Sequence, residues 1–299
     1  MSEHKNTLTD GNVGKALLII ALPIIISNML QSVLEVVDMH FIGELGDTSI
    51  AGGTLSVSVI MVLTTVLMGI VTATAAFVSR AYGSEKYERI QVVLAHAIYL
   101  GLIFSVILAV IGFFWSEDIL YFMSQGDAAL AEEGAKFLRP ALIGSFIMML
   151  LMTLTTVFQS TGDSRTPMFV MVGVNIVNII LNPTLIQGLW IFPAMGLAGS
   201  AYASLSSRAV GVILLILCMY FLPKHKYGPI KFPKKFTFEP RLVRDIFVIA
   251  IPSAVQSGIR SFAMVLMMVI IAAYGEAAIA AYGMCIRLDM LGLVIAMGL

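Results

Sequence analysis

Charge is what this sequence has least of. Only 12% of its 299 residues are Asp, Glu, Lys or Arg and 59% are hydrophobic, where an ordinary soluble domain carries roughly 25% charged residues. The mean hydropathy is +0.96. That balance excludes a cytosolic enzyme and equally a disordered or collagen-like chain. Cysteine is scarce: Cys218 and Cys285 stand alone in long apolar runs, which excludes a disulfide framework and a CxxC metal site. The 18 basic and 18 acidic residues cancel, histidine occurs four times, and no basic stripe is present, so nucleic acid is not an expected partner. GxGxxG, HExxH, P-loop and nucleophile-elbow patterns are missing as well, and neither an enzyme nor a cofactor is expected.

Long apolar runs fill the space that charge leaves. Crossing about 30 Å of hydrocarbon takes roughly 20 residues of helix, and seven complete stretches of that kind fall near 15–42, 50–78, 92–115, 138–160, 167–187, 197–222 and 246–274. An eighth begins near 278 and is still running at Leu299. The first stretch exceeds the roughly 7–15-residue core of a signal peptide and lacks a small-residue cleavage site, so it reads as a retained span. The fold class is therefore an all-α polytopic membrane protein.

Lys and Arg sort the loops. They occur at Lys5 and Lys15, at Arg80, Lys86 and Arg89, at Arg165, and seven times in the 223–245 connection. The alternate loops hold Glu44 and Asp47, nothing, and Glu276, while the 116–137 connection is mostly acidic. Basic loops stay inside, which predicts a multi-pass protein of the inner (plasma) membrane with a cytoplasmic N-terminus. Residues 223–245 carry four prolines and no sustained apolar period, and read as a basic cytoplasmic linker. Its charges either orient the chain alone or also meet anionic lipid.

The chain also repeats itself. Shifting it by 229 residues lays 21–53 over 250–282 without a gap, with Pro23 on Pro252, Gly46 on Gly275, Asp47 on Glu276 and, farther on, Met68-Gly69 on Met297-Gly298. About a dozen of fifty positions agree, and the aligned proline, loop glycine and loop acid exceed what apolar composition supplies. Six spans separate the copies, so the repeats are parallel. The expected organisation is a six-helix N-terminal lobe over 1–222, the linker over 223–245, and over 246–299 the first two helices of a parallel-repeat C-terminal lobe that is incomplete. A missing C-terminal half is thus an expected partner.

An ionisable group inside a span is costly and marks a cavity or a partner. Six qualify: Glu35, Asp38, Arg208, Arg260, Arg287 and Asp289. Asp38 sits about 8 Å of helix rise from the outer end of its span, with Glu35 three residues earlier. Partial burial beside a second carboxyl favours a protonated acid, which is what loading and releasing a proton requires. A hydrated acid at a helix end is the plainer alternative. Asn175, Asn178 and Asn182 recur at i, i+3 and i+7, so their amides share one helical face, as a wet cavity wall or as polar packing between helices. Pro23 deprives the Ile19 carbonyl of its helical bond and favours a bend, moving or static. Pro183 is expected to bend the fifth span. Arg287 and Asp289 lie two apart, on different helix faces, and Arg260 is expected to pair with Asp289 or Glu35. His40 reads as structural.

The segments ALPIIISNMLQSVLEVVDMHFIGELG, MGIVTATAAFVSRAYG, QSTGDSRTPMFVMVGVNIVNIILNPTLI and MGLAGSAYASLSSR resemble, in order and spacing, successive helices of the multidrug and toxic compound extrusion (MATE) transporters. The resemblance covers nearly all of residues 10–299. It implies two six-helix lobes, a central cavity, and antiport of bulky, often cationic small molecules against H+ or Na+. It further implies that Asp38 couples the ion gradient, with weaker support for Glu35, and that Asn178 and Asn182 are a polar pair of the cavity. Several branches have an aspartate where this chain has Asn182, so coupling would rest more heavily on Asp38. One branch has a cation-binding glutamate where Arg260 stands, and a fixed positive charge there opposes sodium. The alternatives are a lipid-linked saccharide flippase of the same superfamily, whose cavity would be expected to carry more cations, and an inactive transporter fragment.

Overall fold

The computed structural model describes residues 13–124, 126–189, 192–221 and 238–272, with side chains from Ala21 in the first helix and, in the last, through Ile259 and at Ala263 and Met267. All regular structure among them is helical: α1 (Val13–Gly43), α2 (Asp47–Gly83), α3 (Tyr87–Met123), α4 (Ala128–Ile143), α5 (Ser145–Ser160), α6 (Arg165–Ile186), α7 (Leu197–Phe221) and α8 (Pro240–Ala272). Six of these are long and apolar enough to cross a membrane alone, and α4 with α5 makes one more span bent by 50°. The chain is a multi-pass helical membrane protein.

Three boundaries differ from the hydropathy reading. The 116–137 connection is largely helical, because α3 continues to Met123 and α4 begins at Ala128. At 37 residues α3 is about 55 Å long, so Glu117 and Asp118 mark where the helix leaves the apolar layer and not where it ends. The Asp127 carboxylate caps α4 by accepting from the Leu130 N–H at 3.0 Å. The fourth span breaks at Gly144, where a Cβ would come within 2.3 Å of Leu205 Cδ2, so α7 packs directly into the bend. Finally, α8 starts at Pro240, inside the segment read as linker, with proline at the first helical position where its missing N–H costs nothing. The span expected from 278 lies outside the described residues.

The main core gathers Leu67, Ile70, Leu94, Leu154 and Leu215 from α2, α3, α5 and α7, and Ile246 from α8 closes it. α8 is therefore docked on the bundle formed by the preceding helices. Its chief neighbour is α2, and the two backbones cross so closely that a Cβ on Gly69 would lie 2.4 Å from the Ala250 carbonyl oxygen. Polar contacts at the start of α8 add to this. The Arg89 guanidinium pairs with Glu239 at 2.6 Å, and the Glu239 backbone N–H donates to His96 Nε2 at 2.9 Å. His96 is wholly buried, and its Nδ1 lies 2.8 Å from the Val92 carbonyl. An imidazole that donates through Nδ1 and accepts through Nε2 is neutral.

Candidate functional site

The site lies at the end of the bundle away from the basic loops, where α1, α6 and α7 meet. α1 runs through Pro23 without interruption, and the Pro23 carbonyl accepts the Ser27 hydroxyl at 2.9 Å. One turn from its far end α1 presents Asp38, half-buried, to the amide stripe of α6. Asp163 caps the start of α6 through the Thr166 N–H at 3.0 Å and the Thr166 hydroxyl at 2.6 Å. From there the 3.6-residue period carries Asn175, Asn178 and Asn182 up one buried face.

Three donors converge on the Asp38 carboxylate. Asn182 Nδ2 reaches Oδ1 at 2.6 Å, Asn178 Nδ2 reaches the same oxygen at 3.1 Å, and Ser204 Oγ reaches Oδ2 at 2.5 Å. The donors are linked among themselves. Asn182 Nδ2 also donates to Asn178 Oδ1 at 2.9 Å, and Asn178 Nδ2 to Ser204 Oγ at 3.3 Å. Both amides are fully buried, and Ser204 is 5% exposed. Each of the three groups facing the carboxyl can donate to it.

The donors are not equivalent. An amide N–H can only donate, whereas a hydroxyl can turn and accept. Ser204 is therefore the one partner able to follow Asp38 through a change of protonation without moving a heavy atom. It was not among the expected site residues. Its signal was available, since Ser200, Ser204 and Ser207 recur on α7 at i, i+4 and i+7, facing the amide stripe of α6.

The remaining expected residues divide. Asn175 is buried but turns back on its own helix, donating Nδ2 to the Met171 carbonyl at 2.9 Å and leaving its Oδ1 without a partner. Asn182 Oδ1 and Ser200 Oγ are likewise buried without one. Glu35 is not brought to Asp38: it is exposed and accepts from Gln31 at 3.4 Å along its own helix, because a three-residue step leaves it on the flank that α6 does not cover. His40 is exposed, 3.9 Å from Glu44. The side chain of Arg260 and all of Arg287 and Asp289 lie outside the described residues, and the expected pairing of Arg260 with Asp289 or Glu35 lies there with them. No cluster of three or more His, Cys, Asp or Glu occurs among the described residues.

The fold and this polar site can be set beside known proteins. The MatE family profile matches residues 23–184, more than half of the chain and inclusive of Pro23, Asp38 and all three asparagines. The chain belongs to the MATE family. A probable multidrug resistance protein of Bacillus subtilis, YoeA, is 28% identical over 277 residues, covering 91% of this chain and 59% of its own length. A MATE-family multidrug resistance transporter of the MOP superfamily, solved in an outward-facing conformation, superposes with a TM-score of 0.82 at 25% identity, covering 96% of this chain and 62% of that one. A MATE structure in the straight conformation does so with 0.82 at 26%, covering 96% and 63%. The chain thus spans about 60% of the length of the relatives it matches.

Proposed function

We propose that this MATE chain supplies the first lobe, and the start of the second, of a secondary active exporter that expels bulky, often cationic compounds in exchange for protons, with Asp38 as the proton-carrying group. The carrying observation is the convergence of three donors on one half-buried carboxylate, one of them a hydroxyl that can reverse its role. Ionised, Asp38 is held by Asn178, Asn182 and Ser204. Protonated, it has a hydrogen to give, and Ser204 can take it. The loss of its negative charge weakens the tie between α1 and the α6–α7 pair, which is the event that alternating access needs.

Sodium is the alternative coupling ion. The name of YoeA, a probable multidrug resistance protein, supports the substrate class. The basic loops support a cytoplasmic N-terminus in the inner membrane. Pro23 is the proposed bending point of α1.

Efflux of a fluorescent cationic dye from proteoliposomes holding the 299-residue chain, under an imposed pH gradient, tests this reading. We expect gradient-driven efflux that Asp38→Asn abolishes. Efflux that follows a sodium gradient and ignores pH would overturn proton coupling. Efflux that appears only after a C-terminal half is added would show the chain to be an inactive part of the transporter.

A further inference from the structure

One in-span charge has no role in the site above. Arg208 is half-buried in α7, and no carboxylate among the described residues lies within the 4.0 Å of an ion pair with it. A guanidinium at membrane depth is expensive to leave uncompensated. Burial works against its charge, and the carboxylates of Asp38 and then Glu35 work in its favour.

The topology explains why these two. Ser204 and Arg208 stand four residues apart on α7, hence one above the other on one face. α1 and α7 run in opposite directions, so Arg208 lies one turn from the Ser204–Asp38 contact toward the basic end of the bundle. Glu35, three residues before Asp38, lies one turn in the same direction along α1. Arg208 and Glu35 are therefore at one level, directly beneath the proton-carrying pair. The charges on the elements packed against α7 are otherwise engaged or distant. α6 has none after Arg165, α5 has none, and α4 pairs Lys136 with Glu132 and Glu133 and Arg139 with Glu117. Between Asp47 and Arg80 α2 has no charged residue, and α1 adds only Lys15 at its basic end and the exposed His40.

We propose that Arg208 is the shared counter-charge of Asp38 and Glu35, a positioning residue that stabilises ionised Asp38 from one turn below and falls to Glu35 alone when Asp38 takes its proton. Arg208 so sets the pH at which the site loads. This rests on the proton-carrying reading of Asp38, and the test separates the two. Carbodiimides attack protonated carboxyls, so the extent of labelling at Asp38, read by peptide mass spectrometry across pH 5 to 9, follows its protonation without any need for transport.

In the wild-type chain labelling should fall as pH rises. In Arg208→Gln and in the apolar, similarly long Arg208→Met the midpoint should move to higher pH by about one unit, a tenfold gain in proton affinity. Arg208→Lys should keep the wild-type midpoint. A wild-type chain whose Asp38 labelling ignores pH overturns proton loading itself. A pH-dependent wild type with an unmoved midpoint in folded Arg208→Gln or Arg208→Met overturns only the role of Arg208. If both uncharged variants fail to fold, Asp38→Asn combined with Arg208→Gln must fold, since it removes both charges together. Failure of that double variant also overturns the assignment.

Discussion

α1 and α8 align in sequence at a shift of 229 residues, and they differ where the chemistry is. In register, Pro23 meets Pro252 and Ala21 meets Ala250, so the backbone plan is common to both. Glu35 and Asp38, however, meet Met264 and Met267, and Gln31 meets Arg260. The proline stands in both segments and the acids in only one. A proline needs no partner to hold its place in a helix, whereas the acid is met by facing donors from α6 and α7.

The sharpest way to break this asymmetry is to move the acid. Asp38→Asn combined with Met267→Asp should show no gradient-driven efflux, a loss of at least about tenfold, because the transplanted carboxyl has no set of donors to hold its charge. Proteoliposome efflux reads this directly, and recovered coupling would show that position alone is enough. Next in size is the crossing between α2 and α8. Gly69→Val places a branched side chain against the Ala250 carbonyl, 2.4 Å from where its Cβ must go, and should cost about 1–3 kcal/mol as an overpacking change. A drop in detergent-solubilised thermal midpoint measures it. Gly43→Ala, whose Cβ would meet nothing within 4 Å, should by contrast leave the midpoint unchanged or slightly raised.

Ser204→Ala removes the one reversible donor and should weaken the hold on ionised Asp38 by about 1.5–3 kcal/mol, as for a hydrogen bond to a charged group. The efflux pH profile would then shift to higher pH, while Ser204→Thr, which keeps the hydroxyl, should not shift it. The smallest contrast lies in the prolines. Pro23→Ala should slow efflux without moving that pH profile, whereas Pro252→Ala, in a helix already docked on α2, should slow it less. Equal slowing would mean that both copies bend.

How much of this was legible in the sequence depended on the period involved. Asp38 and the asparagines stood out because a carboxyl or a row of amides in an apolar span contradicts its surroundings. Ser204 did not, since serine is common in membrane helices and returns its hydroxyl to its own backbone, as Ser27 and Ser56 do here. Glu35 was grouped with Asp38 by spacing along one helix. Only the placement of α6 shows which of two flanking faces is covered, and that is a fact about another element. The boundaries near 116–137 failed for a related reason: acidic residues report the edge of the hydrocarbon, and α3 extends past that edge.

The seat of α8 has a consequence for how the protein is made. Its contacts, from the crossing of Gly69 and Ala250 to the hold of Arg89 and His96 on Glu239, are made to α2 and α3, which precede it in the chain. During synthesis, α8 can settle against α2 as soon as it enters the bilayer, while the ribosome is still extending the chain. The helices already in place thereby act as a template for α8.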